Sequence, residues 1–303
     1  MRLTQKLIPI AALSFLFLMS VSQVYAAPLA AGEIFDGITF ENLLTYTPLQ
    51  HDLVSHVLTL GYAAQAAGLV YFLATLSNIA PRYRLSSVLS AVVMSSAFFE
   101  LFQLYQDWNN AFIFTDGVWQ LGTDAFSNGF RYMNWSIDVP MLLLQLVVVL
   151  GLTRGQALSY GTQFVIGGLL MIWTGHIGQF YEVTNLGLFF LWGAISTVFY
   201  VYVLFVIGRM INKNANSLPK QPDNLPKAMR NVFWFVLATW TLYPIAYLIP
   251  AIWPTAWGAV TRQIIYTVAD ISSKVIYGAI LSYIARKRSE ALSHEPAVAT
   301  ARR

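Results

Sequence analysis

The sequence predicts an all-α membrane protein, a seven-helix bundle with an internal pocket and an extracellular N-terminus. Three observations carry that prediction: 57% of the 303 residues are hydrophobic while 11% are charged, the apolar residues gather into seven long segments, and Lys and Arg favour alternate connections between them. A chain this poor in charge and this rich in long apolar runs falls among integral membrane proteins. The chain has no cysteine, which excludes disulfides, thiolate metal sites and a Cys nucleophile.

Residues 1–26 have a basic start at Arg2 and Lys6, an apolar middle and small residues around Ala26. That is the shape of a cleavable secretory signal; the alternative is an uncleaved first membrane helix, for which the apolar run falls short of the ~20 residues needed to span. Residues 27–49 then form an extracellular N-terminal segment or cap, 50–287 the seven-helix domain and 288–303 a cytoplasmic tail. Gly, Pro and charge clusters place the seven spans at about 50–78, 85–107, 126–152, 157–180, 184–209, 228–252 and 258–286, each near a spanning length of ~20 residues.

Orientation follows from the connections. Arg82, Arg84, Arg154, Arg209, Lys213, Lys220, Lys227, Arg230, Arg286, Lys287, Arg288, Arg302 and Arg303 fall on one side of a seven-helix arrangement, which is therefore cytoplasmic. Glu33, Asp36, Glu41, Asp107, Asp116, Asp124 and Glu182 fall on the other. The net charge of +4 thus reflects topology, and no nucleic-acid partner is read from it.

Three cations remain after that accounting: Arg131, Arg262 and Lys274. Lys274 sits in the middle of the last span, within ADISSKVIYGAILSYI, where an unpaired ammonium costs about 3 kcal/mol on insertion scales. Asp270 lies one turn earlier on the same face, and Asp138 falls at a similar depth on the third span. A buried ion pair that fixes helix packing is one explanation. The sharper one is an amine that forms a Schiff base with an aldehyde cofactor. The stretch NWSIDVPMLLLQ puts Asn134, Asp138 and Gln145, with Arg131 before them, on one helical face as a polar stripe. Trp135, Trp192, Trp240 and Tyr243 offer an aromatic box for a cofactor, with Met171 and Gly175 supplying a soft side and room.

RYMNWSIDVP, WTLYPIAY and ADISSKVIYG resemble the third, sixth and seventh helices of the microbial rhodopsins. The likeness covers nearly the whole chain after the signal region, and Asn134, Asp138 and Gln145 match the Asn-Asp-Gln pattern of the light-driven sodium pumps. The resemblance implies an ion transporter, not an enzyme, in the inner membrane of a bacterium. All-trans retinal would be bound to Lys274 in a pocket that includes Pro244 and Ser273. It further implies that Asp138 is counterion and proton acceptor, and that Asn134, Asp138, Ser96 and Asp270 hold Na+ transiently. Ser87 and Ser90 would line the cytoplasmic uptake route, Asn128 would bond near the counterion, and Glu41, Glu182 and Arg262 would form the release region. Asp124 corresponds to a bound-ion position near a subunit contact, although His51 replaces the aromatic residue expected beside it. His56 resembles an interface histidine and favours a homo-pentamer in the lipid bilayer.

Two residues depart from the pattern. Glu100 stands where an apolar residue is expected, either near the outer interface or tuning the pore, and Ser282 stands where a Gly is expected. Gly193 could open a window for a carotenoid antenna, but packing explains a small residue there as well and is preferred. The alternatives to a sodium pump are an outward proton pump, which this family also becomes without Na+, a photosensory rhodopsin, and a transporter insensitive to light.

Overall fold

A computed structural model describes residues 36–221 and 223–294. The signal-peptide reading and the last residues of the tail lie outside them. Among the described residues, seven helical spans are long and apolar enough to cross a membrane. They are built from α1 (Pro48–Ala74), α2 (Arg84–Ala111), α3 (Gly129–Leu150), α4 (Arg154–Gln179), α5 (Leu186–Asn214), α6 (Leu225–Trp240) with α7 (Leu242–Ile252), and α8 (Ala256–Asp270) with α9 (Tyr277–Glu290). Consecutive spans pack side by side, and α8 closes the ring against α1. The third span is the most enclosed, with 72% of its apolar window buried against 22% for the fifth. That central position is where a polar stripe can be shielded from lipid.

Local chemistry sets the ends and breaks. Thr47 and Thr153 start α1 and α4 through capping boxes with Gln50 and Gln156. Gly151 ends α3 in the left-handed region at φ 61°. Pro244 has no N–H to offer the Trp240 carbonyl, and the sixth span breaks into α6 and α7 at Thr241. The seventh span changes to a π-helical stretch at Ile271–Ile276, which contains Lys274; such bulges concentrate at functional sites.

The loop between α2 and α3 forms a hairpin, β1 (Phe112–Thr115) and β2 (Val118–Leu121), paired antiparallel. Asp116 and Gly117 both take positive φ at its tip, which matches the twist of a tight hairpin. The N-terminal segment lies across the same end of the bundle: Tyr46 bridges to Trp119 of β2, and Gly37 N–H donates to the Phe180 carbonyl at 2.7 Å. His51 stacks on Trp119 of its own chain with ring centroids 3.8 Å apart.

Candidate functional site

Lys274 is the hub of a buried ionic centre. Its Nζ lies 3.0 Å from Asp138 Oδ2, 3.0 Å from Asp270 Oδ1 and 3.3 Å from Glu100 Oε2. Arg131 faces the same carboxylates, with Nη1 3.1 Å from Asp270 and 3.6 Å from Glu100. All five side chains are at most 1% exposed. Burying so many charges is tolerable only because each meets an opposite charge and further hydrogen bonds; removal of any one partner leaves another uncompensated.

Four spans position these groups. The π turn carries Lys274, the end of α8 carries Asp270, α3 supplies Arg131 and Asp138, and α2 supplies Glu100. Asn134 joins them: its Nδ2 donates to Asp138 Oδ2 at 2.7 Å and Glu100 Oε2 at 2.5 Å, and its Oδ1 accepts from Ser96. The sixth span contributes Tyr243, whose hydroxyl donates to Asp270 Oδ1 at 2.8 Å and pairs with Ser273 at 2.9 Å. Asp138 and Asp270 thus face Lys274 directly, and Asn134 links Asp138 to Ser96.

Beside Lys274 lies a cavity whose walls are mainly apolar and aromatic. Trp135, Met171, Gly175, Trp240, Tyr243, Pro244 and Ser273 line it, as read from the sequence, together with Lys274 and Asp138. Trp192, offered as a fourth box residue, is not among the lining residues; Tyr132, Tyr200, Tyr247 and Tyr266 are. Gly193 lines the cavity too, and a Cβ there would come within 2.8 Å of the Tyr247 ring. Close packing of that ring accounts for the glycine.

Toward the end with the N-terminal segment, the centre continues through Gln263 of α8. Its Oε1 accepts from Arg131 at 2.8 Å, and its Nε2 donates to Glu41 at 2.9 Å and Asn128 at 3.0 Å. Asn128 also donates to Glu41 at 2.9 Å. Arg262 then bridges Glu41 at 3.2 Å and Glu182 at 2.7 Å, all three side chains wholly buried. Burial lifts the Glu182 carboxyl above its ordinary range; Arg262 opposes that shift and Glu41 reinforces it.

Toward the opposite end, Ser90 Oγ donates to Gln145 Oε1 at 3.1 Å. Ser87 and Ser282 are buried nearby in the same half of the chain's helices, and the Ser87 hydroxyl has no hydrogen-bond partner among the described residues. Asp124 and His56 stand apart from all of this, exposed at the surface.

Two members of the network were not read as such in the sequence. The sequence leaves Glu100 either near the outer interface or tuning the pore, and the structure puts it against Lys274. Gln263 was not singled out at all, because an isolated glutamine in TRQIIY carries no charge signal; its position one residue after Arg262 was the only cue.

Comparison with known proteins identifies the family and the fold. The family profile described as bacteriorhodopsin-like protein matches residues 52–288. Green-light absorbing proteorhodopsin of Gamma-proteobacterium EBAC31A08 is 24% identical over 229 residues, covering 75% of this chain and 84% of that protein. Bacteriorhodopsin of Halobacterium salinarum is 30% identical over 166 residues, 55% of this chain and 60% of that protein. Among solved structures, thermophilic rhodopsin superposes with TM-score 0.77 at 30% identity. Xanthorhodopsin, described as a light-driven ion pump with dual chromophore, superposes with TM-score 0.75 at 31% identity. Each alignment covers 82% of this chain and 98% of the other. With the family profile spanning most of the chain and the fold shared throughout, this chain belongs to the bacteriorhodopsin-like family of microbial rhodopsins.

Proposed function

We propose that the protein is a light-driven outward sodium pump of a bacterial inner membrane, with its N-terminus outside and all-trans retinal on Lys274. Its family is one of light-driven ion pumps, transporters and not enzymes; the ion and the orientation are the reading advanced here. The observation that carries it is the third-span stripe, where Asn134 and Gln145 are neutral and Asp138 is the sole carboxylate of the three, 3.0 Å from Lys274 Nζ. The cavity's chemistry fits the cofactor: a long conjugated apolar aldehyde needs aromatic walls and one amine at the end, and Trp135, Trp240, Tyr243 and Lys274 provide them.

Lys274 Nζ would hold retinal, which would supply light absorption and a light-driven change of shape beside the Nζ proton. Asp138 Oδ2 balances the cation before light and takes that proton afterwards. With Nζ neutral, Na+ no longer faces a unit positive charge, a repulsion worth about 4 kcal/mol at 4 Å and an effective dielectric of about 20. Oxygens of Asp138, Asp270, Asn134 and Ser96 are the hard ligands that suit a passing Na+. Return of the proton from Asp138 to Nζ restores the positive charge behind the ion.

Gln145, bonded to Ser90, cannot deliver a proton, so the Nζ proton has no carboxylate source on the uptake side of α3. With Ser87 these residues would form the cytoplasmic uptake route. On the opposite side Arg131, Gln263, Asn128, Glu41, Arg262 and Glu182 form the release region. His56 and Asp124, exposed on the bundle's surface, are available to a neighbouring copy and support a homo-pentamer.

A specific observation favours a second reading, an outward proton pump. Glu100 adds a protonatable carboxylate 3.3 Å from Lys274 and 3.6 Å from Arg131, which gives a proton a place to go. Radioactive sodium flux from sealed vesicles separates the two. Illumination in the presence of a protonophore should drive 22Na+ out of the cytoplasmic side; a protonophore that abolishes all light-driven transport would establish the proton reading instead.

A further inference from the structure

α4 is the least apolar of the seven spans, yet most of it faces outward. His176 and Gln179 near its far end are buried, but at its start Gln156 and Ser159 are exposed and Gln163 is half-buried. They are held in a defined arrangement. Gln163 Nε2 donates to the Ser159 carbonyl at 3.0 Å and hydroxyl at 3.3 Å, and Tyr202 of α5 donates to Gln163 Oε1 at 3.3 Å.

These residues open into a groove between α4 and α5, lined by Gln156, Ser159, Tyr160 and Gln163 on one side and Arg209 and Lys213 on the other. Arg209 and Lys213 are one turn apart, so both cations present to the same face. No carboxylate lines the groove. At the same end of the bundle some cations have partners, Lys287 with Asp223 and Glu290 and Arg230 with Asn216 at 2.6 Å. Others, such as Lys220 and Lys227, have none among the described residues but do not line the groove. Among the described residues Arg209 and Lys213 have neither an ion pair nor a hydrogen bond. Along the two helices toward the middle of the span, the surface turns apolar, with Ile166 and Leu170 on α4 and Val198, Val201 and Phe205 on α5 all exposed.

A ligand that satisfies both parts needs a negative phosphate at one end and hydrocarbon at the other. We infer that this groove holds an anionic phospholipid, its phosphate between Arg209 and Lys213, its polar headgroup against Gln156, Ser159 and Gln163, and its acyl chains on the exposed apolar faces of α4 and α5. Basic pockets between membrane helices recognise lipid headgroups through this combination of charge and directed donors. The inference rests on the chain spanning a membrane, not on which ion it moves.

The test uses the full chain, purified in detergent and examined by native mass spectrometry with phosphatidylglycerol or phosphatidylcholine of identical acyl chains. The wild type should retain phosphatidylglycerol in preference to phosphatidylcholine. The Arg209→Gln/Lys213→Gln double variant should lose about 10- to 30-fold of that preference, given about 1 kcal/mol for each basic residue at a membrane surface. Lys220→Gln/Lys227→Gln, which removes two other basic residues, should keep it. Equal retention of the two lipids by the wild type overturns the inference without recourse to any variant. So does an undiminished preference in the Arg209/Lys213 double variant, or displacement of phosphatidylglycerol by inorganic phosphate, which would mark a site for a soluble anion.

Discussion

Replacing Arg262 by Gln should destabilise the protein in a way that depends on pH. Arg262 meets Glu41 at 3.2 Å and Glu182 at 2.7 Å, with all three side chains fully buried. Loss of the cation leaves two carboxylates in the interior. Glu41 keeps donors from Asn128 and Gln263, whereas Glu182 keeps only the Phe40 N–H. Breaking a buried pair costs about 3–5 kcal/mol, and one new amide bond from Gln recovers about 1 kcal/mol. Thermal unfolding followed by tryptophan fluorescence should fall by roughly 4–16 °C, at about 2–4 °C per kcal/mol for a chain of this size. Burial already holds the Glu182 carboxyl above its ordinary range against the pull of Arg262, and without Arg262 it rises further. A carboxyl raised in the folded state contributes stability below its unfolded value, near 4.3, and loses it as pH rises through the folded value. The deficit should therefore be small at pH 4 and grow toward pH 8. A deficit that is the same at both pH values, or below about 1 kcal/mol throughout, would refute the reasoning.

Other perturbations have equally definite outcomes. Lys274→Ala should abolish the visible absorption band that appears on adding retinal while helical circular dichroism is retained; a retained band would move the attachment elsewhere. Glu100→Gln removes one of three carboxylates facing Lys274 Nζ, so the cation of the bound chromophore loses ground-state stabilisation and the band should move to longer wavelength. An unshifted spectrum would mean that Glu100 carries no charge in the protein. Gln263→Leu removes one of two acceptors of Arg131, leaving Asp270, and a donor to Glu41; it should cost about 1–3 kcal/mol in unfolding experiments and slow light-driven transport with little effect on the absorption maximum.

The spans and the Lys274 centre were legible because membrane burial makes charge expensive. A lone Lys in the middle of an apolar helix must have partners; Asp270 follows from helical spacing and Asp138 from its similar depth on the third span. Depth along a span was harder. The second span was read as ending near residue 107, which puts Glu100 about 10 Å from its outer end; the helix runs on to Ala111, and Glu100 lies about 16 Å in, level with Lys274. That one extra turn separates an interface residue from a member of the centre. The hairpin was not anticipated either, since its four-residue strands are too short to show a period, although the Asp116-Gly117 pair carries the turn signal. Gln263 was invisible for a third reason: a neutral side chain announces no cost, and its role as the link from Arg131 to Glu41 exists only in three dimensions.

The central claim is that Asn134, Asp138 and Gln145 move sodium, and light-driven pH change in cells expressing the protein tests it most directly. Suspensions in NaCl and in KCl would be illuminated with and without a protonophore. Outward sodium transport predicts external alkalinisation in NaCl that the protonophore enhances, because protons enter passively to balance the exported charge. Acidification in both salts, abolished by the protonophore, would contradict it and make the same stripe a path for protons.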